Sequence, residues 1–178
     1  MKSVVVFCGS AMGAQVQYKE AARDLGKALA VHGVTVIYGG AKIGLMGAVA
    51  DACLSAGGKV VGVIPQFLKK KEVVHEGLTE LVTVETMHER KRIMIDKSEG
   101  CITLPGGYGT LEELFELLTD QQLGQYHYPI YLLNTGGYYD AMLRQLDHMV
   151  QEGLLKLPNR KNLLVYDKVA DLMEAITV

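Results

Sequence analysis

Residues 105–113, PGGYGTLEE, place three glycines and a threonine directly before two glutamates. Glycine tolerates positive φ and close approach, so the backbone N–H groups of such a loop can turn toward an anion such as phosphate. The stretch also matches a capping box, with Thr110 as the N-cap and Glu113 as the third helical residue. Alternatively, the new helix presents the Glu113 carboxylate to chemistry beside the glycines. The two interpretations are compatible, and the segment predicts a phosphate cradle next to a carboxylate.

Three consecutive cations precede this segment, within the stretch VETMHERKRIMIDKSEG at residues 84–100. On a helix, Arg90, Lys91 and Arg92 point about 100° apart, so at most two of them can serve one site. A solvated helix face is the alternative for each of them, because charged side chains are mostly exposed in soluble proteins.

Two further glycine-rich stretches, CGSAMG and YGGAKIGLMG, follow the first and second apolar runs of the chain. Ligands of open α/β sheets bind outside the carboxyl ends of the strands, so several glycine-rich loops at that edge favour an anion site over turn geometry alone. The candidate binding residues in these two stretches are Gly9, Ser10, Gly40, Gly44 and Met46. Neither a GxGxxG fingerprint nor a GxxxxGK[ST] pattern occurs, which disfavours NAD and an ordinary P-loop site.

Short apolar runs rich in β-branched residues alternate with longer amphipathic segments. Strands are predicted at 3–8, 34–38, 59–64, 81–85, 100–105, 129–134 and 162–166. Helices are predicted at 16–31, 45–56, 86–98, from about residue 110, 138–151 and 168–176. Continuous apolar strands separated by helices predict a mostly parallel sheet of about seven strands with helices on both faces. Right-handed crossovers then give a doubly wound, Rossmann-like α/β fold, in a single domain that spans residues 1–178.

Composition limits the classes of partner. The formal net charge of −2 gives no reason to expect nucleic acid or an anionic membrane. No run approaches the roughly 20 apolar residues that span a bilayer, and the N-terminal MKSVVVFCGS is interpreted as a strand rather than a signal peptide. The three cysteines lack CxxC spacing, which favours free thiols in a reducing cytoplasm, and the five histidines show no metal-ligand spacing.

The pairing of MHERK, residues 87–91, with PGGYGTLEE makes the chain recognisable. The two segments resemble the MxxRK and PGGxGTxxE motifs of the LOG ("Lonely guy") family, the cytokinin riboside 5′-monophosphate phosphoribohydrolases. The resemblance extends over nearly the whole chain, from VFCGS to QLG. Many members of this family carry an older lysine decarboxylase label, which no plausible pyridoxal-phosphate lysine motif in this sequence supports.

The resemblance implies a reaction and a set of site residues. The reaction is hydrolysis of the N-glycosidic bond of a purine nucleoside 5′-monophosphate, with Arg90 and Glu113 as catalytic residues and with neither metal nor cofactor. The partners implied are a nucleotide, either AMP or an N6-substituted AMP, and a second copy of the chain that packs near residues 86–98. The candidate substrate- and phosphate-binding residues, beyond those of the first two strand ends, are Glu72, Lys91, Gly106, Gly107, Tyr108, Gly109, Thr110 and Thr119.

Two segments depart from the family pattern. GGAKIG, residues 39–44, has Ala41 where the family often has a third consecutive glycine, a small change that we expect to be tolerated. TDQQLG, residues 119–124, has Asp120 where the family has a bulky aromatic residue, which leaves the base preference open. Two alternatives also remain on the sequence alone. One is a non-catalytic nucleotide or molybdenum-cofactor carrier with the same fold, and the other is a nucleotidase or transferase that uses the same cradle.

Overall fold

The strands and helices follow each other along the chain much as the apolar runs predict. The computed structural model describes residues 1–69 and 73–177. Its strands are β1 (Ser3–Phe7), β2 (Thr35–Tyr38), β3 (Val60–Pro65), β4 (Glu80–Val84), β5 (Cys101–Thr103), β6 (Ile130–Leu133) and β7 (Leu163–Tyr166). Its helices are α1 (Val16–Val31), α2 (Gly44–Ser55), α3 (Met87–Asp96), α4 (Tyr108–Gln122), α5 (Asp140–Gln151), α6 (Leu157–Arg160) and α7 (Val169–Thr177).

All seven strands join one parallel sheet in the order β4-β3-β2-β1-β5-β6-β7. The central strands are buried along their length, as in β1, where residues 4–7 are at most 2% exposed. Burial on both faces explains why these strands are continuously apolar rather than alternating. The prediction of a doubly wound α/β fold is therefore confirmed.

Two apolar clusters cover the two faces of the sheet. One contains Leu25 and Leu29 of α1 and Leu172 of α7, together with most of α2. The other contains Leu114 and Leu117 of α4, together with residues of α3 and α5. Helices α3 and α4, which carry the predicted catalytic residues, thus lie on the same side of the sheet.

The sheet changes direction at β1, whose neighbours are β2 on one side and β5 on the other. Strands β1 to β4 build outward in one direction, and β5 to β7 build outward in the other. The loops that follow β1 and β5 therefore diverge and leave a crevice at the carboxyl edge, which is where ligands bind in folds of this class.

Four further findings bear on the predictions. The cysteines Cys8, Cys53 and Cys101 are all buried and free. Within residues 1–69 and 73–177, no helix has the length and apolar character needed to cross a membrane. No cluster of three or more metal-ligating side chains occurs among these same residues. The short helix α6 was not predicted from the sequence, since four residues are too few for a helical pattern to emerge.

Candidate active site

A cleft of about 260 Å³ opens in the crevice at the carboxyl ends of β1 and β5. Its walls come from the end of β1, from the β2–α2 connection, from α3 and from the first turns of α4. The lining residues are 6–10, Gly39, Met46, Met87, Arg90, Met94, 107–110, Glu112 and Glu113. The structure therefore brings both predicted catalytic residues to one cleft. Part of each predicted glycine-rich stretch lines the same cleft.

Arg90 is fixed by backbone carbonyl groups of two neighbouring strand ends. Its Nε donates to the carbonyl oxygen of Val63 at 3.0 Å, and its Nη2 donates to that of Gly39 at 2.8 Å. The Thr86 hydroxyl caps α3 by accepting from the Glu89 N–H at 3.1 Å, which places Arg90 on the first turn directly over the sheet edge. The side chain is only 6% exposed, so these bonds hold a buried cation in one orientation.

Gly39 makes this position of Arg90 possible. A Cβ at residue 39 would collide with the Arg90 guanidinium and would crowd the Met46 sulfur at 3.1 Å. A glycine is therefore required here by close approach rather than by an unusual φ, because the guanidinium occupies the space that any other side chain would need.

Glu113 does not cap its helix, and in this respect the capping-box prediction was wrong. Helix α4 begins two residues earlier than predicted, at Tyr108, with Gly107 as an N-cap in an extended conformation and without a side-chain capping bond. The Gly107 carbonyl accepts from the Leu111 N–H at 3.1 Å, which closes the first turn. Thr110 thus lies inside the first turn, and Glu113 lies in the second turn, where its carboxylate is free to face the cleft.

Burial raises the pKa of Glu113 from 4.5 to about 7. The charges of Arg90 and Lys91 lower this pKa, although by less than burial raises it. The neighbouring carboxylates Glu112 and Glu116 raise it further. A carboxyl group with a pKa near neutrality can both accept and return a proton, which is the property expected of a general acid or base.

The start of α4 supplies the anion-binding part of the cleft. The N–H groups of residues 108–110 belong to the first turn, where an α-helix offers donors without intrahelical partners. Gly107 and Gly109 line the cleft, and a Cβ at either position would project into open space. This arrangement can accommodate a phosphate group close to the helix N-terminus, while Gly106 lies outside the lining and packs against Thr110.

The first glycine-rich stretch forms the opposite wall. Gly9 and Ser10 line the cleft, and the Gly9 N–H donates to the Pro105 carbonyl at 3.0 Å, which ties the end of β1 to the end of β5. Gly44 lies outside the lining, where a Cβ would collide with the backbone of Ser10. Gly40 lies behind the cleft at φ 83°, against Ile64 of β3.

Other predicted residues do not line the cleft. The Lys91 Nζ lies 2.5 Å from both Glu112 Oε1, at the rim of the cleft, and Glu116 Oε2. Thr119 donates its hydroxyl to the Phe115 carbonyl at 2.7 Å and follows Glu113 by almost two turns. Glu72 lies outside the described residues.

Several lining residues were not identified from the sequence. Met87 and Met94 of α3, with the predicted Met46, give one wall an apolar and adaptable surface. Cys8 also lines the cleft, and burial raises its thiol pKa far above the usual range, so that the sulfur remains protonated. Met87 lies in the MHERK segment and Cys8 in the VFCGS segment. Neither residue was assigned to the site, because methionines and cysteines are ordinary core residues and their type alone indicates no chemistry.

Comparison with known proteins gives both a family and a fold. Residues 46–176 match a family model described as possible lysine decarboxylase. A probable cytokinin riboside 5′-monophosphate phosphoribohydrolase of Arabidopsis thaliana is 47% identical over 164 residues, which cover 92% of this chain and 81% of that protein. The cytokinin riboside 5′-monophosphate phosphoribohydrolase of Rhodococcoides fascians is 43% identical over 176 residues, which cover 98% and 89%.

Among solved structures, the molybdenum cofactor carrier protein of Chlamydomonas reinhardtii matches with a TM-score of 0.74 over 99% of this chain and 96% of that one. Its sequence identity is 22%, so the likeness concerns the fold alone.

Proposed function

Since the chain belongs to the LOG family, together with the cytokinin riboside 5′-monophosphate phosphoribohydrolases of plants and bacteria, we propose that it hydrolyses the N-glycosidic bond of a purine nucleoside 5′-monophosphate. The products are the free base and ribose 5-phosphate. One observation carries the proposal to specific residues: a carboxyl group with a pKa of about 7 lies in the same cleft as a helix N-terminus suited to phosphate.

Glu113 performs the central chemistry of this reaction. Cleavage of the bond between C1′ and the base nitrogen leaves positive charge on the ribose, in an oxocarbenium-like transition state. The ionised Glu113 carboxylate stabilises this charge and accepts a proton from the attacking water, whose oxygen forms the new bond to C1′. The base leaves with the electron pair of the broken bond, and its nitrogen takes up a proton equivalent to the one that Glu113 accepts from the water, which returns the carboxylate to its ionised form.

Arg90 orients the reacting groups rather than transferring a proton. A guanidinium stays protonated in a protein, so it is a poor acid. Two of its nitrogens are engaged with the carbonyl groups of Val63 and Gly39, which fixes the plane of the guanidinium at the floor of the cleft. From there its charge favours the ionised form of Glu113.

The N-terminus of α4 holds the 5′-phosphate. Its free N–H groups and the positive end of the helix dipole attract the dianion, and glycines at 107 and 109 leave room for it. Binding the phosphate at this point fixes the sugar relative to Glu113, one turn further along the same helix. The methionines of the lining, Met46, Met87 and Met94, offer an apolar surface for the base.

The description possible lysine decarboxylase fits this cleft less well. Lysine would bring a cationic ε-ammonium group to a site that contains the buried cation Arg90 and the positive end of α4. An anionic phosphate ester is the better complement to these charges.

The remaining implied contacts stay candidates. Glu72 and Thr119 are proposed on the resemblance alone. Lys91 contacts a substrate only if it leaves Glu112 and Glu116, with which it forms ion pairs in this structure.

The chain forms a homodimer in this proposal, through the side of the sheet that carries α3 and α4. Large apolar side chains are exposed on and just after α4, with Phe115 at 38%, Leu123 at 64% and Tyr128 at 47%. A second copy that covers this side would bury them.

We place the protein in the cytoplasm, where the three free cysteines remain reduced.

The test is product analysis with AMP and isopentenyladenosine 5′-monophosphate, resolved by chromatography into nucleotide, nucleoside and base. We expect free base from the wild type and a loss of about 10²- to 10⁴-fold in kcat for Glu113→Gln, because the amide can neither carry the charge nor accept the proton. Glu20→Gln is the matched control, since it makes the same change at an exposed carboxylate of α1, on the other side of the sheet, and should leave kcat unchanged. Release of nucleoside and phosphate would identify a nucleotidase instead, and binding without any product would identify a carrier.

A further inference from the structure

Three consecutive carbonyl groups precede α4, and each accepts a hydrogen bond from another part of the chain. They belong to residues 104–106, which, with Gly107, we call the glycine loop. The Tyr139 hydroxyl donates to the Leu104 carbonyl at 2.8 Å, and the Gly9 N–H donates to the Pro105 carbonyl at 3.0 Å. The Tyr138 hydroxyl donates to the Gly106 carbonyl at 2.7 Å. None of these donors belongs to the glycine loop, so its peptide orientations are set by the surrounding elements.

The last of the three bonds determines where the Gly107 N–H points. A trans peptide is planar, and its C=O and N–H point in opposite directions, so the Gly106 carbonyl and the Gly107 N–H are oriented as one unit. The described residues contain no cis peptide. Tyr138, which follows β6, holds the carbonyl, so by planarity the Gly107 N–H is directed away from the Tyr138 hydroxyl. Strand β1 lies on the other side of β5 from β6, and the cleft is lined by the end of β1.

Tyr138 is itself held in position by aromatic contacts. It follows β6, and its ring packs edge-on against Tyr139 at 4.8 Å and against Tyr18 at 5.5 Å, measured between ring centroids. The Asn134 side chain stabilises the turn that delivers both tyrosines, because its Oδ1 accepts from the Tyr139 N–H at 2.7 Å and its Nδ2 donates to Asp140 at 2.8 Å. The hydroxyl of Tyr138 therefore reaches the glycine loop from a supported ring, although the residue is 42% exposed.

We propose that Tyr138 is a positioning residue for the 5′-phosphate, acting through the peptide between Gly106 and Gly107. With its hydroxyl in place, the peptide presents an N–H to the anion. If the peptide rotated, the carbonyl oxygen would face the phosphate and repel it. This inference rests on the proposed function only in assigning a phosphate-bearing ligand to the cleft.

The test compares Tyr138→Phe with Tyr18→Phe by calorimetric titration of ribose 5-phosphate, which carries the phosphate but has no glycosidic bond to cleave. Phenylalanine keeps the ring contacts of Tyr138 and removes only the hydroxyl. We expect ribose 5-phosphate to bind about five- to tenfold more weakly to Tyr138→Phe, the change typical of one lost hydrogen bond. Tyr18→Phe should bind it as the wild type does, since all three bonds to the glycine loop remain.

Two further measurements, adenine binding and thermal unfolding, distinguish a loss of phosphate positioning from a general loss of structure in Tyr138→Phe. We expect Tyr138→Phe to bind adenine as the wild type does, to unfold within a few degrees of it, and to show a raised KM for AMP with a smaller change in kcat. Equal binding of ribose 5-phosphate by wild type and Tyr138→Phe would overturn the inference. So would an equal loss for adenine, or a wild type that binds no ribose 5-phosphate.

The outcome is distinguishable from a failure of the proposed function. A wild type that leaves AMP intact refutes the hydrolase, yet the titration with ribose 5-phosphate still decides whether Tyr138 positions the cradle.

Discussion

At the scale of single residues, the carboxyl group of Glu113 sets the pH dependence of the reaction. Burial raises its pKa to about 7, and the proposed chemistry needs the ionised form. We therefore expect kcat/KM for AMP to rise with pH through an apparent pKa near 7 and to level off above it, as measured by initial rates between pH 5 and 9. Because the phosphate of the ligand also titrates near pH 6, binding of ribose 5-phosphate over the same range is the control.

The raised pKa of Glu113 also makes the stability of the folded state depend on pH. Stability falls as the pH rises, whereas kcat/KM increases. Below pH 4.5 the Glu113 carboxyl is protonated in both the folded and the unfolded chain, so it has no effect there. Between pH 4.5 and 7 the unfolded chain loses the proton while the folded chain retains it, so the folded state loses stability as the pH rises, by at most about 3 kcal/mol. Thermal unfolding of Glu113→Gln should lack this decline, and identical profiles for both proteins would contradict the raised pKa.

Two glycines of the cleft should respond differently to alanine. Gly39→Ala places a methyl group where the Arg90 guanidinium lies, so we expect a loss of about 2–4 kcal/mol in stability together with loss of activity. Gly107→Ala places its methyl group in open space, so the stability should change by less than about 1 kcal/mol while the KM for AMP rises about tenfold or more. Calorimetric unfolding measures the change in stability, and initial rates measure the change in KM. An unchanged KM in Gly107→Ala would show that the phosphate does not bind beside Gly107.

At the scale of elements, α3 and α4 are joined by Lys91, whose side chain is only 14% exposed. Its Nζ contacts Glu112 and Glu116, two carboxylates of the helix that carries Glu113. Removing this charge while the two carboxylates remain should raise the pKa of Glu113, because Lys91 lowers it and both carboxylates raise it. We therefore expect the pH midpoint of kcat/KM to move upward in Lys91→Gln.

The control for this prediction is Arg92→Gln on the same helix. Arg92 is 73% exposed and pairs with Asp96 at 2.9 Å, so its loss should leave the midpoint unchanged. An unchanged midpoint in Lys91→Gln with a strongly raised KM would instead mean that Lys91 leaves the two glutamates and contacts the substrate.

The first residue of α4 could not be predicted from the local sequence. The pattern from Thr110 to Glu113 matches a capping box, but the N-cap is the extended Gly107, three residues before Thr110, and the helix begins at Tyr108. Glycine is an acceptable N-cap, and its choice here depends on how the glycine loop is tied to β1 and β6, which is a tertiary effect. The helix itself was predictable, whereas its first residue was not.

At the scale of the whole molecule, the predictable part is the part set by local pattern. Apolar runs separated by amphipathic segments sufficed to predict seven parallel strands. The five inner strands are buried along most of their length and are therefore continuously apolar, whereas the edge strands β4 and β7 are partly exposed. Placement of glycines at strand ends also indicated the crevice. The direction of Lys91 and the support of the glycine loop by Tyr138 could not be predicted, since both depend on contacts between segments far apart in sequence.

Exposed apolar side chains on α4 and at its end predict how the protein assembles. Phe115 on α4 is a large apolar side chain left 38% exposed beside the Lys91 ion pairs, and Leu123 at the end of α4 is 64% exposed. If a second copy covers this side, light scattering should give twice the 19.4 kDa of the chain, and Phe115→Glu or Leu123→Glu should shift the mass to that of one chain. Val16→Glu is the matched control, because Val16 is 71% exposed on α1, across the sheet. Loss of the dimer in Val16→Glu alone would place the interface on the α1 side, and a wild type of 19.4 kDa would exclude the dimer.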